Sequence, residues 1–183
     1  QLSIGWDGLG DIDEYRVYRA QASGGTLPDY TQIDSVDNNI TTYTDTGLED
    51  GERYFYRVTA YDSVEGESPL SNEADAVTVL PAATNILANS STESTILLSW
   101  DKADDSPDGT WEIYRSTDGS LGTNIASISD PSTTEYTDGG LLDGERYYYT
   151  IRRCTDHATA DAQSDAVTVL PAPTNLTVSN VTA

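Results

Sequence analysis

The sequence predicts an all-β fold of two antiparallel β-sandwiches in tandem. Three observations carry this: apolar residues alternate with polar ones in short β-branched or aromatic runs, Gly, Pro, Asn, Asp and Ser bound every run, and no window sustains helical periodicity. The pattern occurs twice. Thr46 to Val58 reads TGLEDGERYFYRV and Gly139 to Ile151 reads GGLLDGERYYYTI. In each copy an Asp-Gly turn, Asp50-Gly51 or Asp143-Gly144, launches a strand. Its alternate residues, Tyr54, Tyr56 and Val58 or Tyr147, Tyr149 and Ile151, face one side. The first tyrosine of each strand has an apolar body to bury and a hydroxyl that needs a nearby backbone partner, while Leu48 or Leu141 packs under the corner.

The other elements repeat in the same order. Leu2, Ile4 and Trp6, and again Ile96, Leu98 and Trp100, read as half-buried strands ending in a core tryptophan. An acidic loop follows each, Asp7 to Asp13 or Asp101 to Gly109, and then comes Tyr15-Arg16-Val17-Tyr18-Arg19 or Trp111-Glu112-Ile113-Tyr114-Arg115. A weaker strand falls near Tyr30 to Val36 and Asn124 to Ser129. Thr41 to Asp45 and Thr133 to Asp138 then lead into the corner. Polar loops are expected at Asp62 to Asn72 and Thr155 to Ser164, and the string DAVTVLPA closes each unit at Asp75 to Ala82 and Asp165 to Ala172. Its proline lacks a backbone donor and ends the strand. The period is roughly 90 to 94 residues.

Seven short strands in about 90 residues, with no cysteine pair, point to a two-sheet sandwich. The tryptophans Trp6 and Trp100, the Tyr-Arg strands and the corner Leu-x-x-Gly-x-x-Tyr resemble fibronectin type III domains. The usual corner of that family is Leu-x-Pro-Gly-Thr-x-Tyr; here Asp50 and Asp143 replace the proline, and Glu52 and Glu145 the threonine. The resemblance spans almost the whole chain and implies immunoglobulin-like sandwiches used on cell surfaces and viral tails. It sets the expected domains as 1–80, lacking its first strand, 81–170, complete, and 171–183, the first strand of a further repeat or a donated strand. The structural core is expected at Trp6, Trp100, Tyr54, Tyr147, Leu48 and Leu141.

The register carries two readings. The chain starts at Gln1, partway through a repeat, and Pro171 to Ala183 has the sequence of a first strand. Either a longer array has been cut, or the C-terminal segment of one chain fills the vacant edge of the next and builds a head-to-tail polymer.

Charge narrows the function classes. The 183 residues hold 31 acidic and 9 basic side chains, a net of −22, and Lys102 is the one lysine. Nucleic acid and anionic membranes are repelled, and no run of about 18 apolar residues inserts into a bilayer. Abundant Asp and Glu with no Met and a single Phe resemble proteins of extreme halophiles, especially haloarchaea. At molar salt the Debye length falls to about 3 Å, which screens such self-repulsion. An ordinary acidic extracellular domain is the alternative.

Chemistry is thinly supplied. Cys154 and His157 are single residues in one loop, without counterparts in the first unit, and read as strand-end or solvent residues; no catalytic set and no cofactor is expected. Asp101, Asp104, Asp105 and Asp108 offer oxygen ligands for Ca²⁺ but lack EF-hand spacing, which leaves them a solvated loop. Tyr18 and Tyr114 are placed on the outer sheet face. No Arg-Gly-Asp tripeptide is present, and Asn39, Asn89, Asn175 and Asn180 open N-glycosylation triplets.

The expectation is therefore a non-catalytic structural module of an extracellular filament, stalk or surface protein of a halophile. Its partners are copies of itself or adjacent repeats, with surface glycans or cell-envelope proteins as further candidates. The alternatives are a receptor- or glycan-binding fibre or adhesin on a cell or virion, and an accessory region of a secreted hydrolase.

Overall fold

The computed structural model describes residues 1–21, 29–90, 92–103 and 109–170. All fourteen regular elements among them are strands. The chain divides into two compact units, the first built on Gln1–Pro81 and the second beginning at Ala82.

The first unit comprises β1 (Leu2–Gly5), β2 (Glu14–Gln21), β3 (Thr31–Asp37), β4 (Thr42–Asp45), β5 (Arg53–Asp62), β6 (Gly66–Glu67) and β7 (Ala74–Val77). β1 and β4 make a two-stranded sheet. The second sheet runs β3-β2-β5, with β6 and β7 both paired to β5. The second unit comprises β8 (Thr84–Ser90), β9 (Thr95–Asp101), β10 (Thr110–Ser116), β11 (Thr123–Ile128), β12 (Glu135–Gly139), β13 (Arg146–Cys154) and β14 (Thr159–Val167). Here the small sheet has three strands, β12-β9-β8, and the large one four, β11-β10-β13-β14.

Alternation explains the packing. On β9, Ile96 and Leu98 are wholly enclosed and Trp100 is 2 % exposed, and they meet Trp111, Ile113, Tyr147, Tyr149 and Ile151 from the opposite sheet. Trp100 stands edge-on to Trp111 with ring centres 5.6 Å apart. Trp6 meets Tyr15 in the same way at 5.4 Å, a geometry the ring quadrupoles favour. A register shift recurs at one place, Val17/Tyr18 against β3 and Ile113/Tyr114 against β11, and such bulges increase local twist.

One expected loop is a strand for most of its length. Thr155 to Ser164 turns back at Thr155–Ala158, closed by the Thr155 N–H donating to the Ala158 carbonyl at 2.9 Å, and β14 begins at Thr159. Its inward residues are Ala160, Ala162, Ser164 and Ala166, too small to register as apolar alternation. Asp62 to Asn72 is likewise interrupted, by the short β6.

Candidate functional site

The corner is built the same way in both units. The Glu49 N–H donates to the Tyr54 hydroxyl at 3.0 Å, and the Leu142 N–H to that of Tyr147 at 3.0 Å. Both tyrosines are buried. The DAVTVLPA string locks the turn from the other side. The Thr78 hydroxyl donates to the Glu49 carbonyl at 2.6 Å and accepts from the Glu52 N–H at 3.0 Å. Thr168 does the same with Leu142 and Glu145, at 2.6 and 3.2 Å. Gly51 and Gly144 hold φ of 72° and 68°, the left-handed region. A Cβ there would collide with Leu80 or Leu170 respectively. Leu141 is buried and Leu48 half-buried beneath their corners.

Beside each corner lies a polar cluster that joins the two sheets of its unit. Asp45 ends β4 in the small sheet and is 4 % exposed. Tyr56 of β5 donates its hydroxyl to the carboxylate at 2.8 Å, and Arg19 of β2 reaches both oxygens through Nη1 at 3.1 and 3.0 Å. In the second unit Asp138 of β12, also 4 % exposed, takes the Tyr149 hydroxyl at 2.8 Å and Arg115 Nη1 at 2.9 and 2.9 Å. The arginines also cover the corner tyrosines, Arg19 at 5.7 Å from the Tyr54 ring centre and Arg115 at 5.6 Å from that of Tyr147. Burial, and then the hydrogen bond to the carboxylate, push the hydroxyls of Tyr56 and Tyr149 well above their ordinary pKa, so both stay protonated donors. The charged oxygens are satisfied by donors, as a buried carboxylate requires. The arrangement offers no open coordination or nucleophile; what it does is fix one sheet against the other.

Sequence reasoning did not single out Asp45, Asp138, Arg19 or Arg115. The signal was present: the paired strings Tyr43-Thr44-Asp45 and Tyr136-Thr137-Asp138, and Tyr18-Arg19 and Tyr114-Arg115, place the same groups at the same points of both units.

The outer face of each large sheet carries tyrosine, arginine and carboxylate. Arg16 pairs with Glu14 at 2.8 Å and Glu67 at 3.0 Å and lies 3.7 Å from the Tyr61 ring centre. Tyr18 donates to Glu67, and Tyr114 to Glu112 at 2.7 Å. Hydrogen bonds from Thr59 first, then from Tyr18 and Arg16, hold the Glu67 carboxyl below its ordinary pKa. Arg152 pairs with Asp161 at 2.6 Å and stacks 5.0 Å from the Tyr114 ring. Arg53, Arg57 and Arg146 pair with Asp75, Glu73 and Asp165. With the cations so engaged, the acidic excess faces solvent.

Asp101 is exposed at the end of β9, where its carboxylate accepts the Asn85 amide at 2.7 Å. Asp104, Asp105 and Asp108 lie outside the described residues, and among the described residues no group of three or more potential metal ligands forms. Asn39 and Asn89 are exposed; Asn175 and Asn180 lie outside the described residues. Cys154 ends β13, and His157 sits half-buried in the following turn.

The two units also differ at the edge of the small sheet. In the first, a groove of about 430 Å³ opens beside β1, lined by Ile4, Trp6, Tyr56, Val58 and Ala74 among others. It is joined by a second hollow of about 230 Å³ against Leu2, Ile4 and Ala76. Leu2, Ile4 and Trp6 are half-buried, against full enclosure of Ile96 and Leu98 on β9.

Residues 3–79 match the family model of the fibronectin type III domain, SaeA third domain. Tenascin-R of Gallus gallus is 30 % identical over 98 % of this chain, and Exoglucanase B of Cellulomonas fimi 25 % identical over 92 %. The chain spans 13 % and 15 % of the length of these relatives. The solved two-domain fibronectin type III segment of chicken tenascin superposes with a TM-score of 0.74 over 91 % of both chains at 19 % identity. Strand order, tyrosine corner and superposition converge on the fold, a tandem of fibronectin type III-like sandwiches, and residues 3–79 match that family's model.

Proposed function

We propose that this tandem is a non-catalytic spacer in an extracellular filament, stalk or surface protein of a halophile. The observation that carries it is the recurrence of the corner and of the Asp-Arg-Tyr cluster in both units, atom for atom. Fibronectin type III domains are typically non-catalytic, and groups that tie sheet to sheet resist shear rather than transform a substrate. Each sandwich adds a rigid element roughly 30 to 40 Å long. The net charge of −22 fits a medium in which salt screens self-repulsion, and the similarity to Tenascin-R over 98 % of the chain supports a surface setting.

Stretching single chains in molar salt tests both parts. Two discrete unfolding events are expected, each releasing roughly 250 Å, the extended length of about 85 residues less the folded span. In tens of millimolar salt the events vanish as self-repulsion unfolds the units. Extension without discrete events at molar salt overturns the spacer; events that persist at low salt overturn the halophile.

The similarity to Exoglucanase B favours a second reading, an accessory region of a secreted hydrolase. Retention of the chain on insoluble polysaccharide distinguishes it from a spacer.

A further inference from the structure

The outer faces of the two large sheets part at one spot. In the first unit Tyr30, Arg57 and Glu73 form a stack. The Arg57 guanidinium lies 5.1 Å from the Tyr30 ring centre, its Nη2 is 3.3 Å from Glu73, and Tyr30 donates its hydroxyl to the same carboxylate. The second unit changes all three members. Gly122 stands immediately before β11 as Tyr30 stands before β3. Thr150 follows Arg146 at the distance in sequence at which Arg57 follows Arg53, and Gln163 precedes Asp165 as Glu73 precedes Asp75. No ring can replace that of Tyr30: Gly122 holds a φ of 75°, and a Cβ there would lie 2.1 Å from the Arg115 carbonyl oxygen.

A hollow of about 160 Å³ lies among these substitutes, lined by Gly119, Ser120, Tyr148, Thr150, Gln163 and Asp165 among others. It has the volume of about five waters. Tyr148 is half-buried, and a Cβ at Gly119 would come within 3.9 Å of its ring. Glycine, with a φ of 82° there, leaves that ring uncovered. The Gln163 amide donates to the Thr150 hydroxyl at 3.1 Å, which fixes it beside the hollow, and Asp165 is held by Arg146. Charge has gone from these positions along with the arginine. A neutral amide stands in place of Glu73 and a hydroxyl in place of Arg57.

We infer that this hollow is a saccharide subsite that takes one neutral hexopyranose ring of a glycan. Such a ring has a face of C–H bonds that packs on an aromatic side chain, and edge hydroxyls that both donate and accept. Tyr148 supplies the aromatic surface, Gln163 and Ser120 supply groups that donate and accept, and Asp165 supplies an acceptor. A small concave site with one ring and a few fixed polar groups is the usual form of a ligand pocket. The exchange of Glu73 for Gln163 selects a neutral ligand over a cation. The subsite goes beyond the spacer reading and does not depend on it.

Titration of the full 183-residue chain with the methyl glycosides of glucose, galactose and mannose, followed by backbone and side-chain amide resonances in molar salt, tests it. At least one glycoside is expected to shift Gly119, Ser120, Tyr148 and the Gln163 amide saturably, and to leave Phe55 and Glu73 unmoved. A ligand of about a dozen heavy atoms at ordinary efficiency gives a dissociation constant of about 1 to 10 mM. Tyr148→Ala is expected to weaken binding at least tenfold. The double variant Thr150→Arg with Gln163→Glu, which restores the charged pair of the first unit, is expected to abolish it. Unchanged amide resonances for the core of the second unit, Ile96, Leu98 and Ile113, show that each variant is folded. No saturable shift with any of the three glycosides overturns the inference. So does binding that persists in both folded variants, or a larger response of the same amides to arginine amide. A single site of this strength does not hold the chain on insoluble polysaccharide, and it leaves the stretching events untouched, so the earlier readings stand or fall separately.

Discussion

Trp6 and Trp100 occupy the same place in their units and meet an aromatic partner edge-on at nearly the same distance. Trp100 is nonetheless sealed, whereas Trp6 lines an open groove. Between the two small sheets the difference, among the described residues, is one strand. Where β8 covers β9, the inward row of the small sheet is enclosed from both edges; where β1 is uncovered, its row is half-buried and the hollow stays open. The corner and the buried cluster are alike in both units, down to hydrogen-bond lengths. The polar scaffold is thus the same beside a two-stranded and a three-stranded small sheet, while the enclosure of the apolar row is not.

The largest effect separates the tryptophans. Trp100→Ala is expected to cost its unit about 3 to 5 kcal/mol, the range for emptying an enclosed aromatic site. Trp6→Ala is expected to cost roughly half of that, because the side chain buries less area. Denaturant titration in molar salt, followed by backbone amide resonances assigned to each unit, reads both. Equal costs would show that β1 is packed as tightly as β9 despite its open edge.

Next come the carboxylates. Asp45→Ala and Asp138→Ala strand an arginine and a tyrosine hydroxyl, and each is expected to cost about 2 to 4 kcal/mol, less than a fully buried pair because the guanidinium keeps some solvent. The same titration should give values equal within about 0.5 kcal/mol, since the two sites share their geometry. The tyrosines add a pH signature. Their hydroxyl pKa is raised in the folded state, so the folded chain holds these protons more tightly than the unfolded one. The contribution is complete below about pH 10, the unperturbed value, and is lost as pH rises beyond it. Tyr56→Phe and Tyr149→Phe should each flatten the alkaline fall in stability of their own unit; a slope unchanged in both variants would remove the cluster as its source.

Fold class and corner were legible because both rest on local chemistry: period-two alternation, an Asp-Gly turn, and a tyrosine whose hydroxyl has a partner five residues away. The cluster was not, because it joins Asp45 to residues 26 and 11 positions away across two sheets. Such a pairing appears only when the sheets are stacked. The part of β14 before Asp165 was hidden for a different reason: its inward row of alanines and a serine gives burial without an apolar signal.

The smallest expected effect tests how far the open edge reaches. Tyr54→Phe and Tyr147→Phe each delete one hydroxyl that accepts a backbone N–H, leaving ring and packing in place. A hydrogen bond of this kind contributes about 0.5 to 1.5 kcal/mol net. The turn that presents each N–H is also held by Thr78 or Thr168, so its backbone has little freedom to find another partner. The two costs should therefore agree within about 0.3 kcal/mol although the small sheets of the two units differ in strand number. A markedly cheaper loss at Tyr54, in the same titration that separates the tryptophans, would mean that the uncovered β1 loosens the corner as well as the core. The corner would then depend, as the core does, on how many strands the small sheet carries.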